Sequence, residues 1–217
     1  MTDDEAIRLS EALRHYVESR SAESHLIEPV RMGQIDELAR ATAKLLRDRG
    51  SADLLFICTH NSRRSHLAQV WAAVAARHRG IRGVSTFSGG TEITAVAPGT
   101  TAALRRCGFL VAGEGQGGNP IQVVRTHSDA EPMSCWSKRI GDAANPDRGF
   151  VAVMMCTAAD IACPVVEGAA IRVALPHADP KTAEGSPGET LAYDRCCADI
   201  AREMLYLFDR VGCAARP

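Results

Sequence analysis

The octapeptide CTHNSRRS, residues 58–65, sets a thiol, five residues, then a guanidinium and a hydroxyl in a row: Cys58, Arg64 and Ser65. It follows the apolar run DLLFIC and precedes SHLAQVWAAVAARHRG, so the thiol stands where a strand hands over to a helix. A loop at such a place turns backbone N–H groups inward, and the N-terminal end of the next helix adds positive potential. Thr59, His60, Asn61, Ser62, Arg63, Arg64 and Ser65 would then cradle a tetrahedral oxyanion, with the planar fork of Arg64 holding two oxygens at once. The same field favours the thiolate of Cys58, the nucleophilic form. The Ser65 hydroxyl can bond to that sulfur, and Asn61 is a residue type that tolerates a strained loop. A lone cysteine ending a core strand is commonly only packing. The C-x5-R-S spacing between strand and helix is what weighs for a nucleophile.

Seven further cysteines occur, at 107, 135, 156, 163, 196, 197 and 213. No CxxC pair is present, so structural zinc is not expected, and no metal is assigned. Cys156 ends the strand-like FVAVMMC, and Cys163 lies seven residues further on. If the strands are parallel, Cys156 emerges at the same sheet edge as Cys58. Were 156–163 helical, seven steps of about 1.5 Å would hold the two Cα atoms about 10 Å apart. A disulfide needs about 7 Å or less, so pairing them would require this segment to open. Asp179-Pro180 lies after the last strand and before the last helix; alone it reads as a turn. The other five cysteines match no pattern and read as packing or chance exposure. His66 and His177 read as solvated side chains near the site.

Elements must position these groups. Residues 1–49 read as two helices, with Ile7, Leu9, Leu13 and Val17 near helical spacing in the first and Ile35, Leu38, Thr42, Leu45 and Leu46 in the second. A break falls around SAESHLIEPV, and Gly50 is a stop. Strands then occur at DLLFIC, GVSTFSGG, IQVVRT, FVAVMMC and IRVALP. Pro98 opens the helix PGTTAALRRCGF, and residues 128–149 read as a long loop. The tail is one helix with Leu191, Ile200, Met204, Leu207, Phe208 and Val211 on its apolar face. Alternating strands and helices predict an α/β domain with a parallel sheet over 51–217, preceded by a helical N-terminal extension over 1–50.

The 217 residues carry a net charge of −1 and only 5% aromatics, which disfavours a nucleic-acid surface. No apolar run approaches the roughly 18 residues that span a bilayer, and the N-terminus lacks a signal-peptide pattern. A cytoplasmic location with reduced thiols is the expectation, with no membrane partner and the oligomeric state left open.

CTHNSRRS resembles the anion loop of the low-molecular-weight protein tyrosine phosphatase superfamily, which includes thioredoxin-coupled arsenate reductases. The family's Cys, Asn, Arg and Ser fall on Cys58, Asn61, Arg64 and Ser65; His60 stands where glycine is usual and Arg63 where cysteine is frequent. The resemblance implies a four-stranded parallel sheet flanked by helices in three layers, and it covers residues 53 to 212. It implies that Asp179 is the general acid, although Lys181 and Thr182 replace the aromatics that usually come after Asp-Pro in the tyrosine phosphatases. It implies that Cys156 and Cys163 are the second and third thiols of a reductase cascade. On that reading the chain reduces arsenate to arsenite with no bound cofactor, an external thiol reductant, expected to be thioredoxin, restoring it. The alternatives are hydrolysis of phosphate monoesters by Cys58, Arg64 and Asp179 alone, or a non-catalytic oxyanion or redox sensor. Arsenate and phosphate share charge and shape, so the loop does not choose between them.

Overall fold

The computed structural model describes residues 8–214. Four parallel strands, β1 (Ala52–Cys58), β2 (Val84–Gly90), β6 (Val151–Met154) and β7 (Ile171–Ala174), form a sheet in the order β2-β1-β6-β7. The two central strands, ADLLFIC and VAVM, are buried almost throughout, as suits a parallel sheet covered on both faces. From β1 the chain crosses to β2 through α3 (Arg64–His78); from β6 it crosses to β7 on the opposite side through α5 (Thr157–Ala162). The strand order therefore reverses between β1 and β6. In open α/β sheets the crevice outside such a reversal is where ligands bind. Cys58 ends β1 and Cys156 comes just after β6, so both leave the sheet at that crevice. The result is the three-layer α/β fold, a parallel sheet flanked by helices, that the sequence predicts.

The N-terminal helices share one hydrophobic core with the parallel sheet. α1 (Glu11–Ala22) starts on a Ser10 cap, whose hydroxyl accepts from Leu13 N. α2 (Pro29–Arg49) starts with Pro29 in its first turn and stops at Gly50, which takes φ 73 and returns its N–H to Leu46 O. Between them lies a short 3-10 turn, Ser24–Leu26. Leu13, Val17, Ile35 and Leu38 are fully buried in one continuous cluster with the strands. Tyr16 of α1 stacks on Trp71 of α3 at 5.4 Å, and Phe109 meets Trp71 edge-on at 5.1 Å. The long α6 (Glu189–Ala214) packs on α1, α2, α3 and on α4 (Pro98–Arg106).

Several expectations need correction. IQVVRT does not join the parallel sheet. It is β4 (Ile121–Arg125), the middle of a separate antiparallel sheet with β3 (Leu110–Glu114) and β5 (Met133–Cys135). β5 lies within the stretch read as a loop, and β3 was not anticipated: LVAGE is mostly exposed and shows no alternation. α4 stops at Arg106 instead of reaching Phe109, because Gly108 takes φ 101 and its N–H bonds Arg105 O. Leu9 is buried but precedes α1, and Ile7 lies outside the described residues. Leu191 is half exposed in the first turn of α6, off its buried face.

If the N-terminal helices belong to the common core, Leu38→Ala should remove about 2–5 kcal/mol of stability. Urea unfolding should still show one cooperative transition; two transitions would mean that these helices unfold apart from the sheet.

Candidate active site

The loop from Cys58 to Arg64 is shaped from outside. Thr59 O accepts from Glu92 N at 2.9 Å and His60 O from the Ser137 hydroxyl at 2.8 Å. Asn61 O accepts from His66 Nε2 at 2.8 Å, and Ser62 O from Ala97 N at 3.0 Å and the Thr100 hydroxyl at 3.1 Å. In a trans peptide the next N–H points opposite to the carbonyl. Four carbonyls drawn outward thus turn the N–H groups of residues 60–63 toward the middle of the loop. Among the described residues, the backbone N–H groups of residues 60–65 make no hydrogen bond. Such a concavity of free N–H groups, continued by the start of α3, attracts an anion.

Asn61 is the pivot, with φ 43, a left-handed value that asparagine adopts more readily than most residues. Its Oδ1 accepts from Lys138 N at 2.9 Å, and its Nδ2 donates to Ser65 Oγ at 2.9 Å. Ser65 Oγ in turn lies 3.1 Å from Cys58 Sγ. With its own lone pair occupied by Asn61, the Ser65 hydroxyl is free to donate to the sulfur, an arrangement that stabilises a thiolate. Gly90 lets the end of β2 approach this loop: a Cβ there would come within 2.7 Å of Thr59 O and 2.8 Å of Asn61 N.

His66 is not the solvated side chain expected; it is wholly buried. A carbonyl only accepts, so Nε2 carries the proton toward Asn61 O, and Nδ1 accepts from the Ser88 hydroxyl at 3.2 Å. Burial, reinforced by the Lys138 ammonium, pushes its pKa down to about 3. The expectation failed because α3 is buried on every side, so no face of it is solvated in its first turns.

Asp179 stands across the loop. Its carboxylate accepts from Arg64 Nη2 at 2.5 Å, Arg63 Nε at 3.2 Å and Lys181 N at 3.1 Å. Arg64 Nη1 donates to His177 O at 2.9 Å. The fork of Arg64 therefore grips the Asp179 segment instead of facing the loop with two free donors. Its Nε is buried and, among the described residues, without a partner, so this N–H remains for an anion. Arg63 also lies 3.7 Å from Glu184, and His60 pairs with Glu92 at 3.3 Å.

His177 likewise is not solvated. Its Nε2 lies 3.0 Å from Glu203 and 2.6 Å from Arg31 Nη2, and Arg31 makes two further bonds to Glu203 at 2.7 and 2.9 Å. Burial opposes the charge of Glu203, yet His177 and Arg31 hold its carboxyl below the usual range. Arg31 belongs to α2 and Glu203 to α6, so both helices anchor the segment that carries Asp179.

Cys156 caps α5: its Sγ accepts from Ala159 N at 3.3 Å and lies 3.5 Å from Thr59 Oγ1. Cys163 sits at the other end of α5, partly exposed, and both thiols are free. Arg172 braces α5, donating to Cys163 O at 3.0 Å and Asp160 O at 2.7 Å. Sequence reasoning passed over Ser88, Thr100, Ser137, Lys138 and Arg31. None falls in a local pattern; each reaches the site by tertiary contact.

Because His66 is neutral when folded and depressed below its ordinary 6.5, folding loses stability as pH falls through 6.5 toward 3. At about 1.4 kcal/mol per pH unit, His66 alone accounts for about 2 kcal/mol between pH 7 and pH 5. Urea unfolding at those two values should show His66→Gln losing less stability than wild type by about that amount. Equal losses would mean that His66 is not held neutral.

Neither a family model nor a curated protein sequence matches the chain. Solved structures do. A YwlE mutant from Bacillus subtilis superposes with a TM-score of 0.51 at 16% identity, over 75% of this chain and 99% of that one. A low molecular weight protein tyrosine phosphatase from Bacillus subtilis gives 0.49 at 15% identity, over 76% and 99%. A low molecular weight phosphotyrosine phosphatase from Vibrio cholerae O395 gives 0.47 at 18% identity, over 73% and 95%. At such identities the likeness is one of architecture, and it agrees with the resemblance read in the loop: the chain has the fold of the low-molecular-weight protein tyrosine phosphatases.

Proposed function

We propose that the protein is an oxyanion-processing enzyme that hydrolyses phosphate monoesters through a Cys58 phosphoenzyme. The observation that carries this reading is the meeting, in one crevice, of the Cys58–Ser65 pair, the inward N–H groups of the loop and the Asp179 carboxylate on Arg64. In the first step Cys58 thiolate attacks phosphorus while Asp179, protonated, gives its proton to the departing ester oxygen. Arg64 and the loop N–H groups take the negative charge on the equatorial oxygens. In the second step Asp179, now a carboxylate, removes a proton from water. The hydroxide attacks phosphorus, the S–P bond breaks with its electron pair returning to sulfur, and Ser65 steadies the thiolate. Asp179 must turn from Arg64 toward the leaving oxygen for the first step, since its carboxylate is engaged by Arg63 and Arg64.

A second reading, arsenate reduction, is favoured by one specific observation: Cys156 Sγ lies against Thr59 at the same crevice. There Cys58 would bond arsenic with loss of water. Cys156 thiolate would then attack Cys58 sulfur, so that arsenic leaves as arsenite with the electron pair and a disulfide remains. Cys163 would take over that bond, and an external dithiol of the thioredoxin type would reduce it. This route requires α5 to open and Arg172 to let go.

The readings separate in two assays. With p-nitrophenyl phosphate, wild type should turn over, Cys58→Ser should be inactive, and Asp179→Asn should lose about 100-fold or more. Cys156→Ser and Cys163→Ser should keep this activity. Arsenate-dependent NADPH consumption with thioredoxin and its reductase, lost in both of those variants, would instead favour the reductase. Absence of both activities in the folded protein would overturn the proposal.

The anchoring of Asp179 makes a finer prediction. Arg31→Ala should slow hydrolysis of an alkyl phosphate, whose leaving group needs a proton, about tenfold more than that of p-nitrophenyl phosphate. Equal slowing of both substrates would show that Arg31 acts on general stability and not through the acid.

A further inference from the structure

Beyond the crevice lies a cavity of about 350 Å³ between α3, β2 and β5. Its walls include Gln69, Arg77, Phe87, Met133, Trp136 and Lys138, and no acidic residue lines it. At about 30 Å³ each it has room for roughly a dozen water-sized groups. Lys138 is 3% exposed, and its ammonium meets only soft partners: the Trp136 ring at 4.2 Å and the Ser88 hydroxyl at 3.5 Å. Among the described residues it has no salt bridge; Cys135 and, less strongly, Asp142 act on it only through space. Burial pulls it below the ordinary lysine range, a penalty that an anion beside it would offset.

Two more observations point the same way. Gln69 is 8% exposed and its side chain acts on His66, yet among the described residues its buried Oε1 has no partner at ordinary hydrogen-bond geometry. A buried acceptor left unmade costs about 1–3 kcal/mol, so a ligand that donates to it gains. Arg77, the exposed cation of the lining, makes no side-chain hydrogen bond or ion pair among the described residues. Two cations, one idle acceptor and a flat aromatic wall thus converge on one space with no carboxylate in its lining.

We propose that this cavity is a second ligand site, separate from the Cys58 loop, for a small carboxylate with a flat apolar body and a hydrogen-bond donor. The carboxylate would sit between Lys138 and Arg77, the body against Trp136 and Phe87, and the donor on Gln69 Oε1. The site backs directly on the catalytic loop. Lys138 N holds Asn61 Oδ1, and the Lys138 ammonium leads through Ser88 and His66 to Asn61 O.

The test uses 4-hydroxybenzoate as probe and the indole N–H resonances of the full chain. Only two tryptophans exist, and Trp71 is buried in the core, so the cavity is reported by Trp136. The expected result is a saturable shift of the Trp136 signal with a Kd of about 1 mM or tighter. The neutral 4-hydroxybenzamide should bind about tenfold or more weakly, and so should 4-hydroxybenzoate to Arg77→Ala. Arg77 lies thirteen residues along α3 from Arg64, about 20 Å, so its effect cannot arise at the loop. Lys138→Met should weaken the probe likewise. No saturable Trp136 shift, equal binding of acid and amide, or unchanged affinity in both variants would overturn the site. The readout does not depend on turnover, so loss of the phosphatase reading leaves it intact.

Discussion

The site depends on the four loop carbonyls being caught from outside. Hydrogen bonds to Thr59, His60, Asn61 and Ser62 carbonyls come from the segment after β2, from Ser137, from His66 and from the start of α4. A peptide plane has one free choice: once its carbonyl is held, its N–H direction is set. The concavity over Cys58 is therefore a property of the surrounding scaffold as much as of the octapeptide. The strain at Asn61 is sustained by three bonds, to Lys138, Ser65 and His66, each of which would be lost if the residue relaxed. Preorganisation of this kind places the donors before charge develops, which is where electrostatic catalysis has its advantage.

The second half of the site is held by a different device. Asp179 lies beyond β7 and is tethered at its back by His177, Glu203 and Arg31, and at its front by Arg63 and Arg64. Glu203 and Arg31 are nearly buried, where breaking one member of an ion pair costs much more than the pair contributes. The back tether is therefore the firmer of the two, since the Asp179 carboxylate of the front one is more exposed. The N-terminal helices thereby brace the crevice from outside. α2 supplies the arginine that holds the Asp179 segment, and α1 packs on Trp71 through Tyr16.

What was legible in the sequence is what local rules govern. Gly50 and Pro98 mark helix ends because each backbone position demands that residue type. The apolar strands around Cys58 and Cys156 are readable because parallel strands are buried on both faces. β3 and β5 were not readable: one is exposed and contains glycine, the other is three residues long, and neither alternates. The burial of His66 and His177 was missed because it is fixed by elements far away, α6 and the end of β2 among them. The loop was visible as a pattern of types, but Ser137 and Lys138, which shape it, are 77 residues from their partners. No short-range periodicity reports a contact of that separation.

The two chemistries considered for this loop differ in what they ask of α5, and that difference is mechanical. Phosphate transfer needs α5 only as a wall. A thiol relay needs its two ends to meet, although six helical residues and the Arg172 brace keep them apart. Arg172 bonds the carbonyl of Cys163 and both the carbonyl and carboxylate of Asp160, so it holds the last turn against uncoiling. Yet α5 is short, its outer residue Ile161 is exposed, and only Ala159 is buried within it. A helix with so little packed surface opens at low cost once its brace is displaced. Any thiol relay here would first have to displace Arg172, a residue outside both the anion loop and the thiols themselves.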